Sequence, residues 1–153
     1  MKIATSYFYQ IRNFQPYMIP ISTCLSDPVW YKPPPEKEYY IDKRGIVNGL
    51  RYKDLIVQPG GCPCKYHNQK ELQCDFLTEY RKRLHQQINM IKINKAFQFC
   101  ANKFQKELNL IQEPIIVLMV YETPNNPCSE RSVLQEVFNC KELSYPIGEY
   151  YEI

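Results

Sequence analysis

The sequence predicts an α/β sandwich of three layers, a mainly parallel sheet between helices, and three observations carry that prediction. The run "IIVLMVY" at 115–121 is apolar on both faces, as a central strand covered from two sides must be. Two apolar stripes precede it at three- or four-residue steps: Phe76, Tyr80, Leu84, Ile88 and Ile91, then Phe97, Cys100, Phe104, Leu108 and Ile111. That period belongs to helices. Two β-branched segments, "KIATSY" at 2–7 and "MIPIST" at 18–23, open the chain and suit buried strands joined by a partly helical connection.

Between these elements lies an irregular Pro/Cys-rich insertion, about 28–74. In "DPVWYKPPPEKEYY" the prolines fix φ and remove amide donors, so an arm on the surface is expected, pinned to the body by Trp30. The first helix begins near Cys74, Pro114 stops the second, and a last helix is expected from about Cys128 to Cys140, packing through Val133, Leu134, Val137 and Phe138. The Tyr-rich tail "SYPIGEYYEI" is expected to pack back on the body.

A length of 153 residues fits one domain spanning 1–153. A net charge of +3, from 19 basic and 16 acidic residues, is too balanced to mark a nucleic-acid binder by charge alone. No apolar run approaches the roughly 18 residues of a membrane span, and polar residues interrupt the N-terminal stretch before a secretory signal can form. Seven cysteines are an odd number, which argues against a disulfide framework and for cytoplasmic thiols.

The chemistry-bearing stretch is "YETPNNPCSER" at 121–131. Ligands of open α/β sheets bind beyond the carboxyl ends of strands, where helix N-termini present unpaired amides. With Asn125 or Asn126 as cap and Pro127 in the first helical position, Cys128 falls in the first turn, where the dipole favours thiolate. Arg131, three residues on, shares its face, so an anion can meet amides, sulfur and guanidinium together. Glu122 opposes the thiolate unless Arg131 pairs with it. The alternative is a capped helix with an Arg131–Glu122 ion pair. The expected pocket comprises Cys128, Arg131 and Glu122 as catalytic groups, with Ser6, Tyr7 and Ser129 contacting the ligand.

A second cluster, "GGCPCKYHNQKELQC", puts Cys62, Cys64, His67 and Cys74 within thirteen residues, the number and chemistry of a tetrahedral zinc site. The spacing C-x-C-x2-H-x6-C departs from the usual C-x2-C pairs, and free thiols on a loop are the alternative. Four protein ligands would staple the loop and leave no open position for catalysis. The basic run "YRKRLHQQ" is read as a solvated helix face.

The ordered set "MKIATSYF", "MIPISTCLSDPVWYK", "YRKRL", "VLMVYE" and "PCSERSVLQEVF" resembles a family of small bacterial, archaeal and phage proteins, domain of unknown function 488, over nearly the whole chain. The resemblance implies a Rossmann-like fold with its site at the start of the last helix, and the style of the sequence is similar to phage or mobile-element versions. Members end the central strand with a residue followed by Glu, as Tyr121-Glu122 does, and open the last helix with Cys-His-Arg. Here the latter reads Cys-Ser-Glu-Arg: the His is absent and one residue is added. The resulting expectation is a protein that binds a small anionic ligand (a nucleotide, a phosphorylated metabolite or a nucleic-acid end), with Cys128 as nucleophile where it acts on it. The competing expectation is a non-enzymatic module whose zinc-stapled arm binds nucleic acid or a host protein.

Overall fold

The apolar run at 115–120 forms the strand that organises the molecule. The computed structural model describes residues 1–57, 74–126 and 128–143. In chain order these form β1 (Lys2–Tyr7), β2 (Met18–Ser22), β3 (Tyr40–Ile41), β4 (Val47–Asn48), α1 (Asp75–Gln87), α2 (Met90–Glu107), β5 (Ile115–Val120), α3 (Arg131–Phe138) and β6 (Lys141–Glu142), with short 3-10 turns at Phe8–Asn13, Val29–Tyr31 and Lys53–Leu55.

Four strands make one sheet in the order β2-β5-β1-β6, and all three pairings are parallel. The protein is therefore of the α/β class with a parallel sheet. β5 lies between β1 and β2, and Ile116 through Val120 are sealed from solvent, which is why its sequence shows no alternation. Side chains still divide by face. Ile19, Ile21, Ile116, Leu118 and Val120 pack with Leu77, Leu84, Ile93, Phe97, Phe104 and Leu134 of the helices, while Met18, Val117 and Met119 pack with Phe8, Ile11, Phe14, Tyr31 and Ile46.

β2 is an edge strand, and that position tolerates Pro20, which has no amide to give a ladder. Its outer rim is covered. The amide of Ser22 donates to Leu50 O at 2.9 Å, and Val57 N donates to Thr23 O at 3.1 Å. Tyr31 is fully buried and its hydroxyl donates to Leu50 O at 2.6 Å and Pro20 O at 3.2 Å. The residue that pins the arm is thus Tyr31; Trp30, expected in that role, is 52% exposed. The arm also contains a β3–β4 hairpin, closed by Gly45 at φ +84°, a left-handed value glycine adopts without strain.

The helical stripes hold in their middles and fail at their ends. Leu77, Tyr80 and Leu84 of α1, and Ile93, Phe97, Ala101 and Phe104 of α2, are buried. The chain breaks at Ile88–Asn89, where Asn89 caps α2 by accepting from Lys92 N at 3.1 Å. Ile91 then faces solvent, as does Ile111 beyond the end of α2. The last helix starts at Arg131, three residues later than expected, and ends on Asn139 in the left-handed conformation. Among the described residues, no helix is long and apolar enough to cross a membrane.

Candidate functional site

β1 leads past β5 to β2, and β5 leads past β1 to β6. The chain therefore leaves the carboxyl ends of β1 and β5 in opposite directions, the switch at which α/β sheets bind ligands. Tyr7, Phe8, Tyr121 and Glu122 stand there, and the end of β2 adds Ser22, Thr23 and Cys24.

Arg131 is 5% exposed and committed within the protein. Its Nε donates to Glu142 Oε1 at 2.6 Å, Nη1 to Thr123 O at 3.0 Å and Nη2 to Glu122 O at 2.7 Å. The guanidinium lies 5.7 Å from the Tyr7 ring centroid. Thr5 Oγ1 donates to the same Glu142 oxygen at 2.8 Å and accepts from Gln135 Nε2 at 2.8 Å. One ion pair with its hydrogen bonds thus ties β6, β1 and α3 to the loop after β5. In place of the expected Arg131–Glu122 ion pair, Arg131 meets only the Glu122 backbone carbonyl, and its carboxylate partner is Glu142.

The amides expected to greet an anion are also engaged. Cys128 N donates to Asn126 Oδ1 at 2.9 Å, Ser129 N to Asn126 O at 3.4 Å, and Arg131 N to Ser129 Oγ at 3.2 Å. Cys128 precedes the helix and is 3% exposed, packed in the helix-side core. Ser129 Oγ is occupied by Arg131 N, and Ser6 is buried in β1 beside Met119 of β5. Tyr7 is half-buried, and its hydroxyl accepts from Gln10 Nε2 at 2.7 Å. The structure therefore gathers Tyr7, Glu122, Ser129 and Arg131 around one loop and turns the sulfur of Cys128 to the interior.

The unexpected group is Glu130. It is 4% exposed, and the Glu122 charge acts on it. Thr23 Oγ1 lies 3.5 Å from its Oε1 and Cys24 Sγ 3.9 Å. Burial, reinforced by the Glu122 charge and opposed only in part by Arg131, pushes its carboxyl up to about 8. Burial and the charges of Glu130, Glu122 and Asp27 likewise push the Cys24 thiol far above its usual range. Asp27 itself accepts from Ser22 Oγ and pairs with Arg51 Nη1 at 2.6 Å, while Arg51 Nη2 donates to Cys24 O at 2.7 Å. The raised Glu130 carboxyl thus sits beside the end of β2, with Arg51 and Arg131 already matched to Asp27 and Glu142.

Glu130 had a legible signal. It lies three and four residues before Val133 and Leu134 on the apolar face of α3, where an acid is out of place. Thr23, Cys24, Asp27, Arg51 and Glu142 join the cluster only through tertiary contacts.

Of the expected zinc ligands, Cys62, Cys64 and His67 lie outside the described residues. Cys74 is fully buried at the N-cap of α1, in contact with the helix-side core. The basic run divides: Arg81 Nε pairs with Glu136 at 2.7 Å, while Arg83 lies 5.2 Å over the Tyr80 ring and donates to Ile56 O at 2.6 Å. Arg83 also lines a groove of about 660 Å³ with Lys53, Asp54, Lys92 and Leu25. No protein-family model, curated protein or solved structure matches the chain.

Proposed function

We propose that the protein binds a small ligand at the carboxyl edge of its parallel sheet, and that the Glu130–Glu122 pair exchanges a proton with it. The observation that carries this reading is the Glu130 carboxyl, sealed from water at the end of β2 with Thr23 Oγ1 and Cys24 Sγ rather than a cation beside its Oε1. Such burial costs stability that an apolar side chain would not. An acid held near neutrality at a strand-end switch point suits general acid and base work. Membership of the domain of unknown function 488 family, and a Rossmann-like three-layer arrangement, belong to the same proposal; the switch between β1 and β5 supports them. The proposal moves the working group from Cys128 to Glu130, the residue that stands before the arginine in "CSER".

The test is a thermal-shift screen of a mixed metabolite panel at pH 6.5 and pH 9, run on the wild type, Glu130→Gln and Cys128→Ala. The expected hit stabilises the wild type and Cys128→Ala in a pH-dependent way and loses its effect in Glu130→Gln. A hit that acts equally on Glu130→Gln removes the pair from the site.

An anionic ligand is a second reading, favoured by the groove of Lys53, Arg83 and Lys92, where three cations face one acid, Asp54. Leu25 joins this groove to the end of β2. Inorganic phosphate or an adenosine monophosphate probe should bind there in a salt-dependent way, weakened by Lys92→Gln. Equal binding by that variant ends the reading.

A further inference from the structure

The helices α1, α2 and α3 all pack into the cluster that contains Ile19, Ile116 and Leu118. On the opposite face of the sheet, Met18, Val117 and Met119 are covered instead by Phe8, Ile11, Phe14, Tyr31 and Ile46, which come from the turn after β1 and from the arm. That cover is partial. A cavity of about 470 Å³ opens on this face.

Its floor follows from strand register. Lys2, Met18, Ile115 and Lys141 are the first residues of β1, β2, β5 and β6. Ile115 is paired with both Lys2 and Met18, and Lys141 with Ala4. Paired residues share a face of a sheet, as do residues two apart along a strand. Lys2, Ala4, Met18, Ile115, Lys141 and Leu143 therefore form one patch, and all six line the cavity. The cavity lies at the amino end of the sheet, the end opposite the loop after β5.

The patch divides by chemistry. Ala4, Met18 and Leu143 are buried, and Ile115 and Tyr17 are half-buried beside them, so the hollow has an apolar body. Two cations stand at its rim. Lys2 and Lys141 are exposed and are diagonal neighbours across β1 and β6, a spacing of about 7 to 8 Å that two lysine side chains can close. The acids of the cavity are taken: Glu113 pairs with the Met1 amino group, and Glu142 with Arg131 Nε at 2.6 Å. Among the described residues, Lys2 and Lys141 have no acid of their own. Mostly apolar walls with a few polar groups on one side are the usual form of a small-ligand site, the walls giving affinity and the polar groups orientation.

We propose that this cavity binds an anionic amphiphile, an aliphatic carboxylate whose chain lies over Ala4, Met18, Ile115 and Leu143 while its head group meets Lys2 and Lys141. It is a second site, separate from the one at the carboxyl edge. Charge complementarity selects the head group, and the apolar floor selects the chain.

The test is isothermal titration calorimetry of hexanoate, octanoate, decanoate and 1-octanol into the full-length protein at pH 7. The carboxylates should bind saturably, each added methylene tightening binding about three- to four-fold. Octanol should bind about ten-fold more weakly than octanoate, because it lacks the charge that the lysines meet. The double variant Lys2→Gln with Lys141→Gln, at exposed positions, should lose about the same factor for octanoate and none for octanol. Ala4→Leu fills the hollow and should abolish binding, with folding checked by circular dichroism. Equal affinity for octanoate and octanol overturns the proposal, as does octanoate binding unaltered in the lysine variant. Absence of saturable binding overturns it in favour of a polypeptide cover: a dimer in sedimentation assigns a second copy, and a monomer assigns residues 144–153, which follow Leu143.

Discussion

Arg131 Nε donates to Glu142 Oε1 at 2.6 Å, while Glu130, the residue before it, is buried with its Oε1 3.5 Å from Thr23 Oγ1. The arrangement divides labour among four adjacent groups. Arg131 holds Glu142 Oε1 and the carbonyls of Glu122 and Thr123, which fixes the loop.

Stability should fall as pH rises through neutrality. Glu130 is raised from 4.5 to about 8 by burial first and Glu122 second. Below pH 4.5 it is protonated in both folded and unfolded chains, and its contribution is fully present. As pH rises toward 8 the unfolded chain releases the proton while the folded one retains it, so stability drains over that window and levels off above it. The full effect is about 3 to 5 kcal/mol for the isolated group. Urea denaturation from pH 4.5 to 9 should show the decline in the wild type and a much flatter profile in Glu130→Gln; parallel profiles would show that Glu130 ionises freely.

Arg131→Ala should destabilise the fold by about 2 to 4 kcal/mol, because it strands a Glu142 carboxylate that is only partly open to water. Arg131→Lys keeps the charge but loses the planar fork that reaches Glu142 and two carbonyls at once, so it should recover less than half of the loss. Chemical denaturation of both variants measures this. Full rescue by lysine would mean that charge alone matters.

The parts of the fold legible in the sequence are those whose signal is local. β1, β2 and β5 announce themselves as apolar or β-branched runs, and the buried middles of α1 and α2 keep helical period. β6 is two polar residues, Lys141 and Glu142, paired to Ala4 and Thr5, and nothing in its composition marks a strand. The stripe that joins Ile91 to Ile88 fails because the break at Asn89 starts a new helix axis, and a period carried across a break no longer describes one face. At the site, the strand-to-helix handover is visible in "YETPNNPCSER" because proline and asparagine punctuate it. The partner of Arg131 is not, since Glu142 arrives on a strand that only the folded sheet defines.

Cysteine reactivity should follow burial. Cys24 and Cys128 are 4% and 3% exposed, and burial with nearby acids holds Cys24 as the thiol. Thiolates react and thiols do not, so iodoacetamide at pH 8 should label Cys24 in the native protein orders of magnitude more slowly than in urea, and Cys128, 3% exposed, should also be slowed in the native protein. Peptide mapping by mass spectrometry resolves each site. Rapid native labelling of Cys128 would return it to candidacy as a nucleophile.

Tyr31→Phe tests whether the arm depends on its anchor. The hydroxyl serves the carbonyls of Leu50 and Pro20, the second on an edge strand whose outer rim has few other donors. Removing it leaves Pro20 O short of a donor while Leu50 O keeps Ser22 N, a loss of about 1 kcal/mol. Tyr31→Ala adds the cavity of a fully buried ring and should cost about 3 to 5 kcal/mol. Because Phe8 packs on Tyr31 and carries Trp30 and Tyr121, the alanine variant should also shift Trp30 emission to longer wavelength as its support is lost. Tyr31→Phe keeps the ring and should leave that emission unchanged. Equal emission shifts in the two variants would mean that the hydroxyl, rather than the ring, holds the aromatic base in place.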